Sequence, residues 1–453
     1  MADFAPGAVV TLDVEKAVAG GRMLARHEGR IVLVTGAIPG ERVRARVVRV
    51  VAHTAHAAVV EVLDSSADRC AVEGEAGCGG QVLSHIAYAR QCRLKAEILQ
   101  DACSRIGHLA IDLPEVMPSP EQGYRMRARL HGHAGRIGFY REGTHQICPA
   151  GATGQLLPAT GEWLRRVESL YASGDLDVAA LELTENMAGT ERACHLELRR
   201  PPRRAAIDTL AAEGARGGVS WSLDPDSGWG VDSHTPGRSG RDRPRRRPQV
   251  HANDDQVVHG DAALVDMLRS STAAEPFALR RHARAFFQGN RYLLEPLLQH
   301  VVAAVGDGAV LDLYAGVGLF GLGAAASGRG QVVLVEGDAV SGGDLLENAA
   351  PFPEATVWPV PVEDFLGSPS AGGRQTPRTV IVDPPRTGML PNIVKAIVAL
   401  QPERVVFVSC DPATFARDAR LLVDGGFSLA GLTLFDLFPG TAHVESVGIF
   451  DRR

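Results

Sequence analysis

Basic residues are not in excess in this chain. Its formal net charge is -6 at pH 7, so it projects no global positive field, and a nucleic-acid site has to be local. No apolar run is long and clean enough to cross a bilayer. The longest, Val301 to Ala326, is broken by Asp307 and Asp312 and rich in glycine, so it reads as buried core. The opening MADFAPGAVV has neither the charged n-region nor the apolar h-region of a secretory signal. Cysteines are few, odd in number and irregularly spaced, at 70, 78, 92, 103, 148, 194 and 410. These absences point to free thiols in a reducing, cytoplasmic setting, with no membrane contact. No obligate protein partner is inferred.

A chain of 453 residues exceeds what one core usually holds, so two or three domains are predicted. Residues 1–63 alternate short apolar runs with glycine turns. VVTLDVEKA, RIVLVTGAIPG, ERVRARVVRVV and AAVVEVL each suit a strand, and together they suggest a small OB-like β-barrel. The period of two in ERVRARV puts Arg42, Arg44 and Arg46 on one face. That face is either solvated or a stripe for phosphates.

Residues 85–108 carry a helical pattern, and 124–148 read as a hairpin. Arg125, Arg127 and Arg129 share a face there with His131 and His133. No carboxylate or cysteine stands at ligand spacing beside these histidines, so they read as surface groups. The stretch 201–253, with GRSGRDRPRRRPQ, cannot bury much apolar surface and reads in part as a loop or disordered insert. The divisions expected are 1–63, a small α+β central domain over 64–275, and 276–453.

From about residue 280, strands, glycine loops and helices alternate: AVLDLYAGVG, LFGLGAAAS, QVVLVEGD, TVIVDPPRTG, RVVFVSC, ATFARDARLLVDGG. This is the rhythm of a doubly wound, Rossmann-like α/β domain. The last two strands, near FSLAGLTLFDLF and VESVGIFD, are close enough in sequence to pair antiparallel.

Three features fall at strand carboxyl ends. DLYAGVGLFG contains Gly316, Gly318 and Gly321, with Glu336 ending the next strand. Glycines let backbone approach a ligand, and a carboxylate there can grip two ribose hydroxyls. NAD-dependent oxidoreductases and S-adenosylmethionine methyltransferases share this pattern. Asp383-Pro384-Pro385-Arg386 forms a rigid turn over the same crevice. Cys410, in VSCDPATFARD, is either a small core hydrophobe or a nucleophile at the sheet's mouth. Glu445, in FPGTAHVE, supplies a carboxylate nearby. A thiol and a carboxylate base suit methylation at carbon 5 of a pyrimidine. Thiolate addition to carbon 6 makes carbon 5 nucleophilic, and a base must then remove its proton.

With those residues, the sequence resembles the bacterial RNA 5-methyluridine methyltransferase family. ARAFFQGN resembles FFQ-x-N, which makes Gln288 the matching cofactor- or uracil-contacting residue. DLYAGVGLF resembles DLYCG-x-G-x-F, with Tyr314 matching and Ala315 in place of the usual cysteine. Glu336 and Asp383 match the family's acidic cofactor-site residues, and Asn348 its downstream asparagine. VSCDPATFARD makes Cys410 the matching nucleophile and FPGTAHVE makes Glu445 the matching base. Residues 1–63 look like a TRAM domain, an RNA-binding barrel. The resemblance therefore implies S-adenosylmethionine as cofactor and RNA as partner, with 23S rRNA favoured over tRNA. The alternatives are a non-catalytic RNA-binding relative and an NAD-dependent oxidoreductase.

The departures are specific. Many members hold a 4Fe-4S cluster on C-x5-C-G-G-C plus a distant Cys-Pro. Here Cys70, Cys78 and Cys148 remain, the first spacing is longer, and Gln81 replaces the third cysteine. The cluster is expected to be lost or incomplete. Asp411 replaces an asparagine beside the nucleophile and is expected to turn away and cap the following helix. Gly440 replaces a histidine in the base loop.

Overall fold

The computed structural model describes residues 5–72, 77–78, 80–141, 144–225, 258–270, 273, 275–368 and 376–453. The arginine-rich run 237–249 lies outside the described residues.

Five strands close the first barrel: β1 (Val9–Val18), β2 (Arg22–His27), β3 (Arg30–Thr35), β4 (Arg42–Val51) and β5 (Thr54–Asp64), in the order β1-β2-β3-β5-β4. Strict alternation in β4 sends Val43, Ala45 and Val47 inward and Arg42, Arg44 and Arg46 outward. The second strand was not anticipated, because RMLARH mixes buried and half-exposed positions without clean alternation.

Helix α1 (Tyr88–Arg105) leaves the barrel and packs on two cores at once. Leu94 and Ile98 join the barrel core, while Leu99, Ala102 and Cys103 join the core of the C-terminal sheet. Strand β6 (Glu115–Met117) then adds to the edge of that same sheet.

The central unit is a six-stranded sheet in the order β12-β11-β10-β7-β8-β9. Its strands are β7 (Arg127–His133), β8 (Arg136–Tyr140), β9 (Ile147–Pro149), β10 (Val178–Glu185), β11 (Arg192–Leu198) and β12 (Val219–Leu223). Helix α2 (Pro158–Ala172) covers it, and α3 (Arg204–Ala212) is the crossover that makes β12 parallel to β11. Within the 201–253 stretch, read in part as a loop or disordered insert, residues 204–212 and 219–223 form α3 and β12, and 226–253 lie outside the described residues. Ala206, Leu210 and Val219 bury there against Trp163 and Leu196, more apolar cover than the composition promised.

Strands β13 (Ala263–Leu268) and β14 (Phe277–His282) pair with each other, and Leu268, Phe277 and Leu279 pack into the C-terminal core. Within the expected 64–275 division, α1, β6, β13 and β14 pack on or pair with the C-terminal unit, while the six-stranded sheet stands as the central one.

The last unit contains α4 (Leu294–Ala304), β15 (Val310–Leu313), α5 (Leu319–Ala326), β16 (Val332–Val335), α6 (Ala339–Ala349), β17 (Ala355–Trp358), α7 (Val362–Gly367), β18 (Thr379–Val382), α8 (Pro391–Ala399), β19 (Arg404–Ser409), α9 (Pro412–Asp424), β20 (Phe427–Phe435) and β21 (Glu445–Arg452). The sheet order is β17-β16-β15-β18-β19-β21-β20-β6. Parallel strands β15 and β18 are buried along their whole length, which explains their unbroken apolar texture. One face is covered by α4, α5 and α6, the other by α1, α8 and α9. Strand order reverses beside β15, where a ligand crevice is expected. Strands β20 and β21 pair antiparallel, as their sequence spacing predicts.

Candidate active site

The rim of this sheet is assembled from short turns at strand ends. After β15 the chain reverses through Tyr314, Gly316 and Gly318, all with positive φ (61°, 58° and 100°). A Cβ at Gly318 would lie 2.5 Å from Leu322 and 2.8 Å from Leu345, so this glycine allows close packing. A Cβ at Gly316 would meet nothing within 4 Å, so this glycine faces open space. Glu336 closes the same space: its carboxylate accepts the Gly316 N–H at 2.8 Å and the Asp338 N–H at 2.6 Å. Burial pushes its carboxyl upward against those two bonds. Asp312 accepts the Gly321 N–H at 2.8 Å, while its other oxygen is buried without a hydrogen-bond partner in the protein. An open glycine cradle, a carboxylate at its lip and an orphaned acceptor beneath it fit a ribose-bearing cofactor.

Tyr314 packs toward the core shared by α1 and α8, and burial holds its phenol neutral. Asn348 spends its amide on protein. It donates to the carbonyls of Arg280 and Val317, and accepts the Arg280 N–H. It therefore ties β14 to the glycine loop.

Asp383 ends β18, and the Gln288 amide donates to it at 3.4 Å. Cys410 follows β19 and Glu445 opens β21. Ser409 and Ser446 are register partners of those two antiparallel strands, so Cys410 and Glu445 are the next residues across from each other. Burial, then Glu445 and Asp383, push the Cys410 thiol up to about 12, while Arg386 opposes them. Burial and Glu336 raise Asp383 to about 7. Burial first, then Asp383, raise Glu445 well above the carboxylate range, again against Arg386. The neighbouring acids disfavour one another's ionisation, and Arg386 is the cation that favours the charged forms of Cys410 and Glu445. His443, lowered to about 4 by burial and the cations Arg386, Lys95 and Arg125, is a neutral imidazole.

Asp411 caps α9, accepting the N–H of Ala413 at 3.0 Å and of Thr414 at 2.8 Å. Pro412 follows at the first helical position, where a missing N–H costs nothing. Gly440 has φ 76°, a conformation that favours glycine over any side-chain-bearing residue.

The sequence-derived expectation that all thiols are free is corrected for two of them. Cys78 and Cys148 are joined in a disulfide, with Cα atoms 5.9 Å apart. The fold brings them together because β9 lies against the bridge between Cys78 and Arg141. Cys70 is exposed and its thiol points to the Ser84 carbonyl, while the Gln81 amide donates to the Thr153 carbonyl. An iron-sulfur cluster needs four thiolates, and this arrangement does not fit one. Among the described residues, no group of three or more His, Cys, Asp or Glu is placed to hold a metal ion.

The arginine stripes differ. Arg42, Arg44 and Arg46 are exposed on the barrel, with Arg44 paired to Glu61. Arg127 and Arg129 instead share Glu182, and Arg129 also holds Glu197. Arg125 turns inward over the rings of Phe139 and Phe438. His131 stacks on Tyr140.

Sequence reasoning missed Asp312, read only as a break in an apolar run. It also missed Lys95 and Asp436, whose partnership spans 341 residues and leaves no local signal.

Comparison with known proteins agrees with this geometry. Residues 374–453 match the family model for tRNA (uracil-5-)-methyltransferase, and residues 4–60 match the TRAM domain. An uncharacterised RNA methyltransferase of Thermotoga maritima is 30% identical, over 96% of this chain and 97% of its own. The 23S rRNA (uracil(1939)-C(5))-methyltransferase RlmD of an Azoarcus species is 31% identical, over 95% and 97%. Among solved structures, the Pyrococcus abyssi tRNA (uracil-54, C5)-methyltransferase, in complex with S-adenosyl-L-homocysteine, superposes with a TM-score of 0.72. It is 22% identical and covers 97% of this chain and 99% of its own, which shows a common fold. No helix among the described residues is long and apolar enough to cross a membrane. With relatives of at least 30% identity along nearly its whole length, the chain belongs to the family of S-adenosylmethionine-dependent RNA (uracil-C5)-methyltransferases.

Proposed function

We propose that the protein methylates carbon 5 of a uridine in 23S rRNA, in the cytoplasm, through a covalent adduct on Cys410. The observation that carries the chemistry is the pairing of strand ends that sets Cys410 across from Glu445. The choice of RNA is supported by relatives, similar over nearly their whole length, that are named as 23S rRNA (uracil-C5)-methyltransferases.

Gly316, Gly318, Glu336, Gln288 and Asp383 would hold S-adenosylmethionine, which when bound would supply an electrophilic methyl group. The Cys410 thiolate adds to carbon 6 of the uracil, and the 5,6 double bond becomes an enolate with carbon 5 as nucleophile. Carbon 5 takes the methyl group and retains its hydrogen, while the donor's sulfur keeps the electron pair of the broken bond and leaves as the neutral thioether, S-adenosylhomocysteine. Glu445, as carboxylate, removes that proton; the electron pair restores the double bond and expels Cys410 as thiolate. The net change is one methyl gained and one proton released. Arg386 favours the ionised Cys410 thiol and Glu445 carboxylate that these steps need.

The test uses RNA from a strain lacking this gene and radiolabelled methyl donor. Label is expected in 23S rRNA as 5-methyluridine with the intact enzyme and not with Cys410→Ala, which still binds donor. RNA containing 5-fluorouridine is expected to form a denaturation-stable adduct that Cys410→Ala does not form. Label confined to tRNA would overturn the substrate assignment, and turnover by Cys410→Ala would overturn the mechanism.

A further inference from the structure

The loop that carries Glu445 runs over residues 436–444 and is gripped by elements outside its own strands. Lys95, on α1, donates from Nζ to the Asp436 carboxylate and to the Phe438 carbonyl. Both members of this ion pair are wholly buried. One turn earlier on the same helix, the Gln91 side-chain oxygen accepts the Gly440 N–H at 2.9 Å. Gln91 is itself fixed, because its amide donates to the Ile86 carbonyl at 2.8 Å. The Gly440 carbonyl accepts the Leu83 N–H at 2.8 Å, and the Tyr124 hydroxyl donates to the Pro439 carbonyl at 3.2 Å. Asn290 donates to the Leu437 carbonyl at 3.0 Å.

Two facts make this more than packing. Gly440 has no side chain to anchor the middle of the loop and has the widest conformational freedom of any residue, yet its N–H and carbonyl are both held from outside. A wholly buried ion pair is a poor source of stability, since an apolar pair of equal volume is often as good. What Lys95 adds is direction: one ammonium fixes the loop's first residue and its third. From there Thr441 donates to the same Phe438 carbonyl, and its hydroxyl accepts the His443 N–H, two residues before Glu445.

We propose that Lys95 and Gln91 are positioning residues for Glu445. The α1 helix latches the loop so that the carboxylate meets the carbon 5 proton after methyl transfer. This inference rests on Glu445 being the base.

The experiment separates adduct formation from release. Enzyme is mixed with RNA from a strain lacking the gene and with radiolabelled methyl donor, and methylated protein–RNA adduct is measured on denaturing gels beside steady-state turnover. Glu445→Gln, the reference, is expected to accumulate labelled adduct. Lys95→Met is expected to do the same, with kcat lowered about a hundredfold and KM for RNA within about threefold. The double variant Lys95→Met/Asp436→Leu is expected to melt as the unmodified protein does, yet still release product slowly. Gln91→Leu removes one bond and no charge; it should accumulate less adduct, with kcat down about tenfold. It carries the same test if Lys95→Met does not fold. Recovery of kcat in the double variant, or slower turnover without adduct in both Lys95→Met and Gln91→Leu, would overturn the latch. Ordinary turnover by Glu445→Gln would overturn the base assignment and the latch with it.

Discussion

The Ser446 hydroxyl donates to the Ser409 carbonyl at 2.9 Å, between register partners at the last rung of β19 and β21. Because β21 runs antiparallel, its first residue stands at the same rim as the carboxyl end of β19. Cys410 and Glu445, 35 residues apart in the chain, thereby become neighbours at one rim. The register fixes where these two chain segments meet, and the loop before Glu445 is held in turn by Lys95 and Gln91 on α1.

Arg386 is the first residue to test electrostatically. It opposes the burial and the two carboxylates that raise Cys410 to about 12. The thiolate fraction grows with pH, so kcat/KM is expected to climb through the neutral range. Arg386→Gln removes a charge that favours thiolate, so the rising limb moves to higher pH. At fixed neutral pH the rate falls about tenfold for each pKa unit gained. Arg386→Lys keeps the charge and should keep most of the profile. Superposable pH profiles for Arg386→Gln and the unmodified enzyme would dismiss this role.

Asp411 lends itself to a subtler comparison. Its carboxylate is occupied by two N–H groups of α9, so its charge is spent at a helix N-terminus, where it is favourable. Asp411→Asn, which also caps, is expected to leave melting temperature and kcat nearly unchanged. Asp411→Ala should lose about 1 kcal/mol of stability in chemical denaturation. A large gain in kcat for Asp411→Asn would mean that the carboxylate does slow the thiolate beside it.

Much of this was legible in the sequence because strand ends announce themselves. DLYAGVG, DPPR and VSCDP each follow a buried apolar run, and in a doubly wound sheet such turns share one rim. The cap at Asp411 was readable for the same local reason. Two kinds of fact were not. Strand β6 has only three residues and joins a sheet whose other strands begin 193 residues later, so nothing nearby marks it. The Lys95–Asp436 pair drew no notice in the sequence, since its partners lie 341 residues apart and burial is decided by which helix lands on which loop. Helix α1 read as a central-domain element because its amphipathic pattern says that it has a buried face, not whose core that face enters.

The glycine loop offers a paired test of cradle against packing. Gly316→Ala adds a methyl to open space at φ 58°, so its stability penalty should be about 1 kcal/mol. Its effect should fall on the cofactor, with donor affinity measured by calorimetry down at least about tenfold. Gly318→Ala drives its methyl to 2.5 Å from Leu322 at φ 100°. That variant should lose about 2 kcal/mol or more in denaturation, and part of its binding defect should follow from unfolding. Equal effects of the two substitutions on both measurements would contradict the division of roles.

The cysteines decide what stands at the positions where the family resemblance implies an iron-sulfur cluster. Among Cys70, Cys78, Cys92, Cys103, Cys148, Cys194 and Cys410, five are free and two are bonded. Protein denatured without reductant should therefore release five thiols to a thiol reagent and seven after reduction. Alkylation mapping should find Cys78 and Cys148 protected together. Protein purified anaerobically should contain no stoichiometric iron or sulfide, because Gln81 offers an amide where a cluster needs a thiolate. The staple joins the 78–83 turn to β9, and the same turn donates from Leu83 to the Gly440 carbonyl of the base loop. Cys78→Ser/Cys148→Ser should accordingly loosen that turn and lower the melting temperature by several degrees, for a loss of about 2 kcal/mol or more. Four iron atoms per chain, or seven reactive thiols without reductant, would restore the cluster or the free-thiol reading in place of the disulfide.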